Sequence, residues 1–380
     1  MTTRGYSRRE FFGFLGAGLG TAALSGLVAR ARGAAAGMPW FRTRGAVIVV
    51  RDMETHDWPA LAKQSGLSTL ATHIRPGEIA EFVRTEAGQR FLEGCRRHGI
   101  AVEHELHALG DLLPRGLFDK DPTMFRMNEN GERVREANLC VHSARALEVV
   151  AENVARYTRE LRSTTGRYFY WIDDGQPMCL CPKCGSFSES DQALLLENHM
   201  LRVIRRVDER ASLAHLAYAR TLAAPTQVRP EPGIFLEFAP IERRYDMPLS
   251  QRDARANPNK PTHGQLLDAL DANLAWFGRD GAQALEYWLD VSRFSGWKRA
   301  RTVEIPWRDD VFANDLATYA HRGIRHVTTF AAWIDGDYVK RWGVAPVRVY
   351  GQGLLRWRST NGVPSAAVPG RGERASIDAP

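Results

Sequence analysis

The chain has 380 residues, 44% of them hydrophobic and 25% charged, a composition with ample apolar content for a large packed core. The formal charge is +7, but residues 1–36 carry a net +4 from Arg4, Arg8, Arg9, Arg30 and Arg32 against Glu10, which leaves +3 for the rest. That balance gives no support to a nucleic-acid partner.

The first segment reads apart from the fold. Ser7-Arg8-Arg9-Glu10-Phe11-Phe12 precedes a run rich in glycine, alanine and leucine to Val28, followed by Ala34-Ala35-Ala36, a small-residue cleavage pattern. This resembles a twin-arginine export signal, which implies cleavage near residue 36, delivery by the twin-arginine export machinery and a periplasmic or secreted protein. A retained anchor would need about 20 strongly apolar residues. The run is too rich in glycine and alanine for that, so no stable membrane anchor is expected.

From residue 45 onward, short β-branched or aromatic runs alternate with longer segments of helical period. The predicted strands, in order, are Ala46–Val50, Thr69–His73, Ile100–His107, Tyr168–Asp173, Leu213–Arg220, Ile234–Ala239, Ala284–Asp290 and His326–Ala332. Helices are predicted over Pro76–Arg97, Ala144–Leu161, Asp191–Glu209, Gly264–Phe277 and Val311–Arg322, with Ser143 placed to cap the second. Eight strands with intervening helices over 45–345 match a (β/α)8 barrel of TIM type. An open doubly wound sheet is the alternative, but no Gly-x-Gly-x-x-Gly follows the first strand and no Walker-type loop occurs. Residues 108–138 and 241–262 read as loop insertions on or near the active face, and 359–380 as a disordered tail.

Polar groups gather at the predicted strand ends. In a closed parallel barrel these converge on one mouth. Asp173 and Asp174 end the fourth strand, and Glu237 and Glu286 end the sixth and seventh; these four are the candidate catalytic carboxylates. His73, Glu105, His107, Tyr218, Arg220, Trp288, Asp290 and Trp333 are candidate substrate-binding residues. Any one acid after a strand is more often a cap or loop residue, and many of the aromatics could be plain core. Carboxylates beside aromatic platforms suit glycoside chemistry, whose oxocarbenium-like transition state needs a proton donor and a second carboxylate. The adjacent pair Asp173-Asp174 would suit a substrate-assisted route, and Asp174 with Glu286 or Glu237 a two-residue one. Arg51, Arg75, Arg220 and Arg293 could receive an acidic sugar.

Directly after the acids stand Cys179, Cys181 and Cys184. Their spacing suits metal ligation, with zinc as a structural ion and Cys140, His142 or His199 as the fourth ligand. A catalytic metal, or no metal with partial disulfide pairing to Cys95 or Cys140, are the other readings.

Taken together, His73, the Glu103-His104-Glu105-Leu106-His107 strand, Leu112-Leu113-Pro114-Arg115, and Phe118 followed by Phe125-Arg126-Met127-Asn128 make one half of a pattern. Asn138-Leu139-Cys140-Val141-His142-Ser143, Asp174-Gly175 and the Cys-x-Cys-x-x-Cys cluster make the other. The pattern resembles a large bacterial family of glycoside-hydrolase-like proteins, often exported, catalogued as a domain of unknown function. The resemblance spans about residues 45–345 and implies a TIM barrel distantly like α-glucuronidases and β-hexosaminidases. This chain departs from the family in having little room for the β-rich N-terminal domain that many members carry. The expected function is therefore an exported carbohydrate-active enzyme acting on a carbohydrate or glycoconjugate. The alternatives are a non-catalytic carbohydrate-binding barrel, or a metal-dependent hydrolase or oxidoreductase using the cysteine loop.

Overall fold

The computed structural model describes residues 38–358. The segment expected to be an export signal and the expected tail from residue 359 lie outside the described residues. Eight parallel strands close into one barrel in sequence order: β1 (Thr43–Val49), β2 (Thr69–His73), β3 (Ala101–His107), β4 (Arg167–Trp171), β5 (Ser212–Ala217), β6 (Ile234–Phe238), β7 (Gln283–Glu286) and β8 (His326–Phe330). The chain is thus a (β/α)8 barrel, closed by the pairing of β1 with β8 from Thr43↔His326 to Val47↔Phe330.

Alternation along each strand divides the two faces. Val47, Ala71, Phe169, Trp171, Ala214, Leu216, Phe235, Leu285, Tyr287 and Phe330 pack together inside the barrel. Their neighbours, such as Ile48, Leu70, Leu236 and Val327, pack outward against helices. Gly45 on β1 is required by the interior, because a Cβ there would stand 2.6 Å from Thr328 Cγ2 across the barrel wall. Ladder length is uneven: β1–β2 and β5–β6 hold five residue pairs each, whereas β4–β5 and β6–β7 hold two.

The helix expected over 76–97 is two helices, Pro76–Arg84 and Glu86–His98. Thr85 breaks it: its backbone is extended and its Oγ1 accepts from Gly88 N at 3.1 Å, a capping bond. Gly88 packs so closely on the preceding turn that a Cβ would meet Phe82 O at 2.0 Å. The other expected helices appear as Ala144–Glu160, Glu189–Ile204, His263–Phe277 and Asp309–His321. Helices Trp58–Ser65 and Ala345–Arg356, unforeseen in the sequence, cover β1 and β2 from outside. Among the described residues no helix is long and apolar enough to cross a membrane.

Candidate active site at the barrel mouth

The C-terminal strand ends surround a cavity of about 290 Å³. Its floor is aromatic. The rings of His73 and Phe330 meet edge to face at 4.8 Å, Phe330 stacks on Tyr287 at 5.1 Å, and His107 lies 5.1 Å from Trp171. Tyr218, Trp297 and Trp333 complete the wall.

Both histidines have their tautomer set by the backbone. His73 Nδ1 lies 2.6 Å from Glu105 O and His107 Nδ1 2.9 Å from Ile172 O, and a carbonyl can only accept, so each Nδ1 carries the proton. In a neutral ring this leaves Nε2 as an acceptor, the case for His73, while the Nε2 of His107 faces the Asp174 carboxylate. Burial, followed by the neighbouring His107, lowers the His73 pKa to about 3, so His73 stays neutral at any ordinary pH.

Two carboxylates line the cavity, Asp174 and Asp290. Asp174 is open to solvent, 63% exposed, with its Oδ1 3.9 Å from His107 Nε2. The Tyr218 phenol lies beside it; burial first, then the Asp174 charge, push the phenol pKa up. Asp290 is buried and caps the turn that begins at Val291, its Oδ1 accepting from Ser292 Oγ at 2.5 Å and Arg293 N at 3.2 Å. Burial raises its pKa.

Trp333 has a left-handed backbone, φ +72°, in a residue type that rarely adopts it. Its amide donates to Asp52 Oδ2 at 3.0 Å, and the Arg299 guanidinium lies 4.7 Å from its ring centre. Burial raises the Asp52 carboxyl to about 7. Asp52 itself accepts from Val49 N as well, tying the end of β1 to the loop after β8.

The remaining sequence candidates lie elsewhere. Asp173 is a scaffold residue: its Oδ2 accepts from the Arg115 guanidinium and from Asn138 N at 2.5 Å. Glu105 and Glu237 sit inside the barrel below the floor, where Gln283 Nε2 donates to both, at 3.2 and 2.8 Å. Glu237 Oε2 also accepts from Trp171 Nε1 at 2.8 Å. Burial lifts both acids, Glu237 to about 8, and the single nearby cation, Arg167, only partly offsets this. Glu286 and Trp288 point outward from β7, toward the helices. Glu286 pairs with the buried Arg243 at 2.8 Å, and Trp288 Nε1 donates to Asp315, the second partner of Arg243. Arg220 is held by Glu189 at 2.7 Å on the rim. The cavity thus brings together His73, His107, Asp174, Tyr218, Asp290 and Trp333. Sequence reasoning placed Tyr287 among the aromatics near the strand ends but did not single out Trp297 or Phe330; Phe330 is simply the next inward position of its strand.

None of the arginines considered for an acidic sugar reaches the cavity. Arg51 is bound to Asp335 and Asp337, Arg75 faces Asp111, and Arg293 donates to Ile241 O and lies over the Tyr245 ring. Among the described residues, the lining holds no lysine or arginine.

Behind the mouth, Cys140 joins Cys179, Cys181 and Cys184 in a buried cluster whose four sulfurs lie within 4.8 Å of one another, able to hold a metal ion. His199, one of the possible fourth ligands, is turned away, its Nε2 3.1 Å from Leu147 O.

The chain is a (β/α)8 barrel with a carboxylate-bearing aromatic mouth. Residues 67–262 match the family described as Domain of unknown function (DUF4838), and the chain belongs to that family. No curated protein is similar to it in sequence. Among solved structures, a beta-N-acetylhexosaminidase from Bacteroides fragilis is 12% identical, with a TM-score of 0.49, over 86% of this chain and 67% of that one. A beta-galactosidase from the psychrophilic Marinomonas ef1 is 10% identical, with a TM-score of 0.45, over 82% of this chain and 59% of that one. A beta-galactosidase from the Antarctic haloarchaeon Halorubrum lacusprofundi is 14% identical, with a TM-score of 0.46, over 83% and 58%. The chain thus spans less than two thirds of either galactosidase.

Proposed function

We propose that this chain is an exported glycoside hydrolase whose working carboxylates are Asp174 and Asp290. The observation that carries this reading is that two carboxylates of opposite environment share one aromatic cavity, Asp174 open to water and Asp290 buried with a raised pKa. Glycosidic cleavage uses such a pair, one acid retaining its proton for the leaving oxygen and the other meeting the developing positive charge or activating water. Asp290 takes the first role and Asp174 the second. The Nε2 acceptor of neutral His73 receives a sugar hydroxyl, and the exposed Trp297 with Trp333 and Tyr218 forms the aromatic wall against the ring. The twin-arginine-like start of the sequence supports export.

A panel of aryl glycosides and oligosaccharides tests the reading. Turnover should fall by about 10²–10⁴ in Asp174→Asn with the melting temperature unchanged. No turnover, together with no ligand-induced rise in melting temperature, sinks it. Binding by calorimetry that survives Asp174→Asn without product would favour a sugar-binding barrel instead. Metal-dependent catalysis at the cysteines is disfavoured by position, since none of the four lines the cavity.

A further inference from the structure

We propose that Cys140, Cys179, Cys181 and Cys184 bind one zinc ion, and that this ion clamps the segment 108–143 onto the loop after β4, holding Asp173 and Asp174 at the mouth. Only the last link, to sugar affinity, rests on the glycosidase reading.

Two sulfur–sulfur distances match the edge of a tetrahedral site, and all four sulfurs lie within 4.8 Å of one another. Cys140 Sγ lies 3.7 Å from both Cys181 Sγ and Cys184 Sγ. A tetrahedron with Zn–S of about 2.3 Å has edges of about 3.8 Å, whereas a disulfide brings sulfurs to about 2.05 Å. All four side chains are buried, at most 4% exposed, and all are free thiols. Four sulfur ligands leave no open coordination position, which is the arrangement of a structural ion.

The surroundings are those of thiolates. Met127 N donates to Cys179 Sγ at 3.3 Å, with Arg133 Nη1 3.6 Å from the same sulfur. His142 Nδ1 lies 3.2 Å from Cys184 Sγ, beside the group of four sulfurs that could hold the ion. The loop is further fixed where Gln192 Nε2 donates to Cys179 O and Cys184 O.

The mechanical path to the mouth is short. Cys140 lies two residues from Asn138, whose backbone is left-handed at φ +51°. Asn138 Oδ1 accepts from Asp173 N at 3.1 Å, its own amide donates to the Asp173 carboxylate, and its Nδ2 donates to Gln176 O and Pro177 O at 3.0 and 2.9 Å. One side chain thus grips the whole turn that carries Asp174. Anchoring Cys140 to the three downstream cysteines fixes Asn138 and, through it, this turn.

Metal analysis of the full chain, purified without added metal, should give one zinc per chain, and cobalt substitution should give the intense ligand-field bands of a tetrahedral thiolate site. Cys140→Ser should lose the zinc, speed amide exchange over residues 172–177 at least tenfold with β1 and β8 unchanged, and both raise KM for a glycoside about fivefold or more and lower kcat, since the released turn carries Asp174. Cys140→His, which restores a zinc ligand, should recover zinc, exchange and KM; it also serves if the serine variant does not fold. Iron in place of zinc, no metal, or an intact mass short by the hydrogens of one or two disulfides overturns the site. Zinc loss that leaves exchange at 172–177 and KM unmoved overturns the clamp. Zinc content and exchange are read without any sugar, so a failure of the glycosidase reading is told apart from a failure of this one.

Discussion

Trp171 Nε1 donates to Glu237 Oε2 at 2.8 Å, so the floor of the cavity hangs from a carboxyl group enclosed in the barrel. Glu237 shares that interior with Glu105 and Glu103, and Arg167 is the one cation whose charge bears on all three.

This arrangement sets a pH dependence. Glu237 titrates near 4.5 when unfolded and at about 8 when folded, raised by burial. Across that window the native state keeps a proton that the unfolded state has lost, so stability is full below about pH 4.5 and declines as pH rises toward 8. The slope is at most about 1.4 kcal/mol per pH unit for one proton. Urea unfolding at pH 5, 6.5 and 8 should show the decline, and Glu237→Gln should flatten it, leaving the residual slope of Glu105. Parallel slopes in the two proteins would count against a protonated Glu237.

Arg243 bridges Glu286 and Asp315 with all three side chains fully buried. Removing the cation strands two carboxylates, so Arg243→Met should cost about 3–5 kcal/mol in urea unfolding. Glu286→Gln should lower stability less and leave turnover per folded molecule unchanged, since Glu286 faces away from the mouth. Loss of turnover in folded Glu286→Gln would return Glu286 to the chemistry.

The cavity presents two carboxylates, Asp174 and Asp290, and, among the described residues, no lysine or arginine. Uronides should therefore bind at least tenfold more weakly than the matching neutral hexosides, about 1.4 kcal/mol or more. Amino sugars with a free ammonium group should bind at least as well as the neutral ones. Calorimetry with the three matched ligands decides the order, and preference for the uronide contradicts it.

Tyr218 acts on Asp174 alone among the carboxylates of the cavity. The Tyr218 hydroxyl stands beside the Asp174 charge, and loss of a polar partner of a charged group costs about 1.5 kcal/mol, so Tyr218→Phe should lower kcat/KM by about tenfold. In an Asp174→Asn background the same change should cost almost nothing. Full additivity of the two losses would mean that Tyr218 works through something else.

The barrel was legible because the strand runs carry β-branched and aromatic residues with turn signals between them, and all eight fall where expected. The direction of single side chains was legible only where a strand alternates clearly. Strand β7 and its continuation read Gln-Ala-Leu-Glu-Tyr-Trp-Leu-Asp, apolar on both faces, so nothing in the run tells that Leu285 and Tyr287 point in while Glu286 and Trp288 point out. Glu237 does point inward, but two positions before the mouth is reached, where its partners are Gln283 and Trp171. Cys140 was one of three possible partners for the cysteine triplet; the choice depends on how the segment before the helix Ala144–Glu160 folds back, which no local pattern encodes.

The short β4–β5 ladder, Arg167↔Ser212 and Tyr168↔Leu213, leaves the upper part of β4 bonded on one side only, to β3. The barrel wall has a seam there, running up to the turn that carries Asp174. Thermal motion should concentrate along that line and along the equally short β6–β7 ladder, so crosslinking β4 to β5 near Trp171 should stiffen the turn that carries Asp174 without lowering the stability of the fold.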